Sequence, residues 1–277
     1  MKRKKRAEGR KHPLLTLLLL VLAVVLLLDN FWVRTREYTL NYPDLPEGFD
    51  GLRILQLSDL HGRAILNTQL LEAAKKAEPD LILITGDLVD GEGQLRHLKP
   101  LLEGLTALSP VYYVTGNHEW ALEDTEGYLR ELADMGITLL RNSFVIWERQ
   151  GDRLLLAGLE DPNAYADMKT PEELAAEISG AKGVFSLLLA HRPEFFPDYA
   201  ALGFRLVFSG HVHGGMVRLP FLGGLLAPGH VLFPKYDGGL YVEGSSCMVL
   251  SRGLAGVNGF PRLFNPLELV IVTLHRK

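Results

Sequence analysis

Apolar positions in this chain follow two patterns. From residue 14 to 28 they run without a break except at Thr16, and Phe31 and Trp32 follow closely. As a helix that run rises only ~22 Å, short of a hydrocarbon core of ~30 Å. Extending it over 13–33 reaches spanning length but takes in Asp29 and Asn30. After residue 50 the apolar positions break into short runs that alternate with helical spacing. Strands are predicted at 53–57, 81–84, 111–114, 154–157, 185–190 and 205–208, with later ones at 240–242, 248–251 and 267–274. Helices are predicted at 68–77, 125–135, 171–179 and 194–201, each between strands. Such alternation implies an α/β domain with a largely parallel sheet in its first half. The crowding of strands near the C-terminus implies a second, partly antiparallel sheet. Residues 216–239 fit neither period: they are rich in Gly and Pro yet carry Leu219, Phe221, Leu222, Leu225, Leu226, Leu232 and Phe233. They read as a long loop packed on the domain, or as an apolar flap admitting lipid-like substrates.

Five of the predicted strands run into polar clusters. These are Ser58-Asp59-Leu60-His61-Gly62, Thr85-Gly86-Asp87, Thr115-Gly116-Asn117-His118-Glu119, His191, and Ser209-Gly210-His211-Val212-His213-Gly214-Gly215. Ligands of open α/β sheets bind beyond the C-terminal strand edge, where such loops converge. The clusters are therefore expected to meet in space. Carboxylate, imidazole and amide oxygen together suit divalent cations. If the chain stays extended, Asp59 and His61 point the same way around Leu60, as do His211 and His213 around Val212. Taken singly, each motif has an ordinary explanation in a turn, a cap or a structural histidine. Five of the nine histidines falling at strand ends, in this order, do not.

Charge separates the N-terminus from the rest. Of the 29 Lys and Arg, nine lie in residues 1–36 (among them Lys2, Arg3, Lys4, Lys5, Arg6, Arg10 and Lys11), against two of the 33 Asp and Glu. The remaining chain carries a net charge of −11. A basic segment before an apolar run reads as a signal anchor. No small-x-small cleavage site follows it, so retention is expected. The basic end then stays in the cytoplasm and the catalytic domain lies on the outer side of the cell membrane. Two units are expected: a basic tail with a transmembrane anchor at 1–36, and an α/β domain bearing the polar clusters at 37–277. So acidic a domain is a poor nucleic-acid binder. Cys247 is the sole cysteine, so no internal disulfide forms.

These motifs, in this order, resemble the calcineurin-like metallophosphoesterases, whose signature is D-x-H, G-D, G-N-H-[DE], a lone His and G-H-x-H. The likeness covers about residues 50–275. Ser251-Arg252-Gly253, Pro261-Arg262 and Pro266-Leu267-Glu268, with the anchor, resemble the bacterial membrane-associated branch. That branch is expected to have Gln after the Gly pair, where this chain has Met216. The resemblance implies an α/β/β/α sandwich with two mixed sheets and a dinuclear site. One divalent ion (Mn, Fe or Zn) would take Asp59, His61 and His213. The other would take Asn117, His191 and His211, with Asp87 bridging. His118 would serve the leaving group; Glu119 reads either as orienting His118 or a ligand, or as a solvated turn residue. The implied activity is hydrolysis of phosphate esters, including phosphodiesters, by a hydroxide shared between the ions, on envelope- or lipid-linked substrates. Alternatives are a pyrophosphatase of the UDP-diacylglucosamine type and a non-catalytic metal-binding scaffold.

Overall fold

A computed structural model describes residues 12–164, 169–179, 184–219, 221–256 and 260–277. The basic cluster at 1–11 lies outside the described residues. A helix, α1 (Pro13–Phe31), leads directly into the edge strand β1 (Val33–Asn41). The first sheet therefore takes in residues 33–36, which sequence reading groups with the anchor.

The first sheet has six strands in the order β1, β16 (Leu267–His275), β2 (Arg53–Leu57), β3 (Leu81–Thr85), β4 (Val111–Val114) and β5 (Thr138–Leu139). It is mixed: β2 to β5 run parallel, β16 is antiparallel to β2, and β1 is parallel to β16. The second sheet also has six strands, in the order β14 (Gly239–Glu243), β15 (Ser246–Leu250), β9 (Leu206–Ser209), β8 (Phe185–Ala190), β7 (Asp152–Leu159) and β6 (Ser143–Arg149). Its centre is parallel, and its two edge strands are antiparallel to their neighbours.

Side-chain alternation fixes the layers. In β3, Leu81 and Leu83 join Leu156, Leu187, Leu189 and Phe208 in a core between the sheets. Ile82 and Ile84 point the other way, onto α2 (Asn67–Ala77), α3 (Leu95–Thr106) and α4 (Thr125–Asp134). On the far side, Leu155, Leu188 and Val207 pack beneath α5 (Pro171–Ile178) and α6 (Phe196–Ala201). The chain is thus an α/β/β/α sandwich. Because both faces of the central strands are buried, they read in sequence as unbroken apolar runs.

Two elements escape a reading of period alone. Helix α3 contains Pro100 and Gly104, both of which disfavour a helix interior. It forms because Leu95, Leu98, Leu101, Leu102 and Leu105 present one apolar face to the sheet. Edge strand β6 shows no alternation because its residues are half-buried on both faces. Residues 216–239 form two small ladders, β10 (Arg218–Leu219) with β11 (Gly223–Gly224), and β12 (Leu226–Ala227) with β13 (Val231–Leu232). Phe221, Leu222, Leu232 and Phe233 remain exposed there.

Helix α1 is exposed along nearly its whole length and is long and apolar enough to cross a membrane. Only its last turn docks. Buried Asp29 accepts from the Asn265 amide at 3.0 Å. Asn30 exchanges hydrogen bonds with the Arg262 backbone, donating to its carbonyl and accepting from its amide at 2.9 Å each. The two polar residues that interrupt the apolar run are therefore the ones that fasten it to the domain.

Candidate metal centre

The strand ends β2, β3, β4, β8 and β9 deliver all five polar clusters to one place between the sheets. Beyond the strands the loops continue to pair: the Asp59 amide donates to the Gly86 carbonyl and the His61 amide to the Asp87 carbonyl, at 3.1 and 3.0 Å. The Gly210 amide donates to the His191 carbonyl at 3.1 Å. The loops are not extended. Asp59, His61, Asp87, His211 and His213 all have φ between 48° and 72°, the left-handed region that non-glycine residues seldom occupy. Asp59 and His61 therefore converge through paired strained turns, and not by strand alternation as the sequence suggests. Strain of this kind persists only where surrounding contacts enforce it.

Among the described residues two donor sets share Asp87, and a third group, His61, Asp90 and His118, lies beside them. Asp59, His61, Asp87 and His213 place one potential ligand atom each within 4.8 Å of one another, and so do Asp87, His191 and His211. In the first set His61 Nε2 lies 3.3 Å from His213 Nε2 and 3.8 Å from Asp87 Oδ2, and His213 Nε2 lies 3.5 Å from Asp59 Oδ1. In the second, His191 Nε2 lies 3.1 Å from Asp87 Oδ2 and 3.2 Å from His211 Nδ1. The outer nitrogens are already engaged. His191 Nδ1 donates to the Thr85 carbonyl at 2.7 Å, His213 Nδ1 donates to the Ala255 carbonyl at 3.0 Å, and His61 Nδ1 meets Asp90 Oδ1. Such partners fix the tautomer and leave Nε2 as the inward lone pair. Asp59 Oδ2 and Asn117 Oδ1 are buried with no hydrogen-bond partner. Buried acceptors are costly to leave unpaired, and two divalent ions sharing Asp87 would satisfy them.

The charges agree with a cation site. Burial pushes Asp59 up. Burial would do the same to Asp87, but the surrounding imidazoles, His191 foremost, draw it well below the usual carboxylate range. Burial lowers His211 to about 2, aided by the charges of His191 and Arg192. His191 rises to about 10, because the Asp87 carboxylate outweighs the effect of burial. A cation held here would compete with the proton on His191, which would couple its binding to pH.

Three supporting groups have roles that the sequence does not show. Asp90 lies three residues past Asp87, and its Oδ1 is 2.9 Å from His118 Nδ1 while also meeting His61. That hydrogen bond is the main cause holding His118 above its ordinary value. The Glu119 carboxylate hydrogen-bonds to backbone amides and not to the His118 ring. It is fully buried and accepts from the backbone amides of Asp87, Leu88 and Gly116 at 3.0, 2.6 and 2.7 Å. It therefore ties the β3 loop to the β4 loop. Arg192 forks onto buried Asp161 and sets Nη1 3.1 Å from His211 Nε2. Gly116 explains why the β4 loop can come so close: an added Cβ would fall 2.2 Å from Asp87 Oδ1. At Met216 the chain turns with φ 41°, and its carbonyl accepts from Asn265 at 3.2 Å.

Residues 52–215 match the family model for calcineurin-like phosphoesterase. Among curated relatives, an uncharacterized metallophosphoesterase of Bacillus subtilis, YkuE, is 29% identical over 89% of this chain and 87% of its own length. Phosphodiesterase YaeI of Escherichia coli is 29% identical over 79% of this chain and 82% of its own. A transmembrane protein with metallophosphoesterase domain from Danio rerio is 32% identical over 83% of this chain, which spans about half of that relative, 54%. With the family match added to the sandwich and the paired donor sets, this chain belongs to the calcineurin-like phosphoesterase family and is a hydrolase equipped to bind two divalent metal ions.

Proposed function

We propose that the protein hydrolyses phosphate ester bonds at the face of a membrane to which α1 anchors it. Asp87, shared by both donor sets, carries the reading. Asp59, His61 and His213 would hold one ion and Asn117, His191 and His211 the other, with Asp87 common to both. Divalent cations held there would supply Lewis acidity, lowering the pKa of bound water and offsetting the negative charge that develops on the phosphoryl oxygens. The chain's own residues do the rest. Glu119 fixes the spacing of the two loops that bear Asp87 and Asn117. Asp90 grips His118 through Nδ1, so that Nε2 is free to give a proton to the departing oxygen. The buried hydrogen bonds that His191 and His213 donate to the Thr85 and Ala255 carbonyls keep the two rings from turning.

The membrane part of the reading rests on the apolar helix, on the basic residues that precede it, and on the name of the Danio rerio relative. Basic residues stay on the cytoplasmic side, which sets the catalytic domain on the outer side. The substrates are then envelope-associated phosphoesters.

The test is metal analysis of the purified full chain, together with a turnover screen over phosphomonoesters, phosphodiesters and diphosphates with Mn²⁺, Fe²⁺ and Zn²⁺. About two ions per chain and hydrolysis of at least one ester class are expected. Asp87→Ala is expected to lose both the metal and the turnover. Full activity in that variant overturns the assignment.

A further inference from the structure

The spanning helix does more than tether the domain: it forms one wall of the cavity that leads to the metal donors. This cavity, of about 480 Å³, opens between α1 and the β2 and β3 loops. Leu26, Leu27 and Phe31 of the helix and Phe260 of the β15–β16 connection supply its apolar side. His61, Asp90 and Arg63 supply its polar side. His61 and Asp90 belong to the donor set and its support, so the polar end of the cavity is the site itself. The apolar end is the last part of a helix whose other side chains face outward.

The joint between helix and site is rigid. Arg63 Nη2 donates to the Asn30 carbonyl at 2.6 Å, and its guanidinium lies 5.6 Å from the Phe31 ring. Asn30 and Asp29 fasten the helix to Arg262 and Asn265. Those two residues in turn support His213: Arg262 Nε donates to the same Ala255 carbonyl that His213 Nδ1 uses, and Asn265 Nδ2 donates to the His213 carbonyl at 2.7 Å. The end of the membrane helix and a candidate metal ligand thus share one hydrogen-bonded frame. Phe264 extends the apolar rim, lining one hollow with Val25 and Leu28 and another with Phe221.

An opening with a cation and metal donors at one end and lipid-facing leucines at the other suits an amphiphile. We infer that the substrate is a membrane lipid bearing a phosphoester head group, with the phosphoryl group at the metal centre, the anionic head against Arg63, and the first methylenes of an acyl chain along Leu26, Leu27 and Phe260. This rests on the phosphoesterase reading and names the substrate class of that site. Burial of one methylene contributes about 0.8 kcal/mol, so a few methylenes account for a preference of tenfold or more over a deacylated head group.

The experiment uses the full chain with Mn²⁺ in nanodiscs of digalactosyldiacylglycerol, a bilayer lipid without a phosphoester. Bis(p-nitrophenyl) phosphate reports activity on a soluble ester. Dioleoyl phosphatidic acid, phosphatidylglycerol and CDP-diacylglycerol, doped into the discs, serve as acylated probes, and their deacylated counterparts as controls. At least one acylated probe is expected to be cleaved, or to compete with the soluble ester at a concentration tenfold or more below its deacylated counterpart. Leu27→Ser and Phe260→Ala are expected to narrow that gap about tenfold. Both positions are exposed, so folding survives the change. Leu18→Ala, further along the same helix, is expected to leave the gap unchanged. Hydrolysis of the soluble ester with no cleavage and no competition by any acylated probe overturns the inference alone. Absence of all turnover from metal-loaded protein overturns the phosphoesterase reading and this inference with it.

Discussion

His118 and Asp90 show how one pair of side chains sets a pH response. Asp90 raises the His118 pKa above the ordinary imidazole value of about 6.5. A raised value means the proton needed by the leaving group is present below that pKa and lost as pH rises through it. Replacing Asp90 with Asn removes the largest cause of the shift, so the alkaline limb of kcat against pH is expected to move to lower pH. An unmoved limb would assign that limb to another group. His118→Ala is expected to retain about two metal ions per chain and to lose roughly 10²–10⁴-fold in kcat. Loss of metal in that variant would mean that His118 is a ligand instead. Because Asp90 also meets His61, its replacement is checked for metal content before the profiles are compared.

At the scale of elements, the site depends on loops that pair with one another after their strands have ended. Glu119 accepts from three amides of the β3 loop, including Val89 at 3.3 Å, and from one amide of its own loop. Glu119→Gln turns one accepting oxygen toward those N–H groups into a donor. This is expected to cost about 1–3 kcal/mol in thermal unfolding and to weaken metal binding, since Asp87 sits on the loop that loses its tie. A stable variant with full metal affinity would show that the strand ends alone position Asp87. Helix α1 makes the same point for a terminal element. Asp29 and Asn30 read as blemishes in an apolar run, yet they are the two residues that join the helix to the β15–β16 connection.

For the whole molecule, Asp and His side chains from the ends of β2, β3, β8 and β9 converge on a buried centre that carries several carboxylates. A ligand that binds only the folded chain stabilises it by mass action. Chelation is therefore expected to lower the thermal midpoint, and Mn²⁺ to restore it, whereas Asp87→Ala protein is expected to show a much smaller response. An equal response in both proteins would place the stabilising ion elsewhere. Acidity across the domain acts in the same direction, since bound cations relieve its net negative charge.

Much of this was legible along the chain. Central strands announce themselves because burial on both faces demands continuous apolar runs, as in 81–84, 111–114 and 185–190. The donor residues announce themselves because Asp, His and Asn clustered at strand ends serve no packing purpose. Helix α3 did not, because its intrinsic propensity is poor and only contact with the sheet stabilises it. Nor did Asp90 or the Arg192–Asp161 pair, nor the tie that Glu119 makes between loops, since these roles depend on partners from other loops. By itself the sequence determined an α/β domain, the polar clusters at the strand ends and the apolar helix, which follow from local period and residue chemistry, while the layering and the ligand assignment were implied by the family resemblance. Only the tertiary structure decided that left-handed turns aim the donors, that Glu119 ties two loops, and that α1 ends against the metal centre. Those facts are distances between residues far apart in the chain, and no local pattern encodes them.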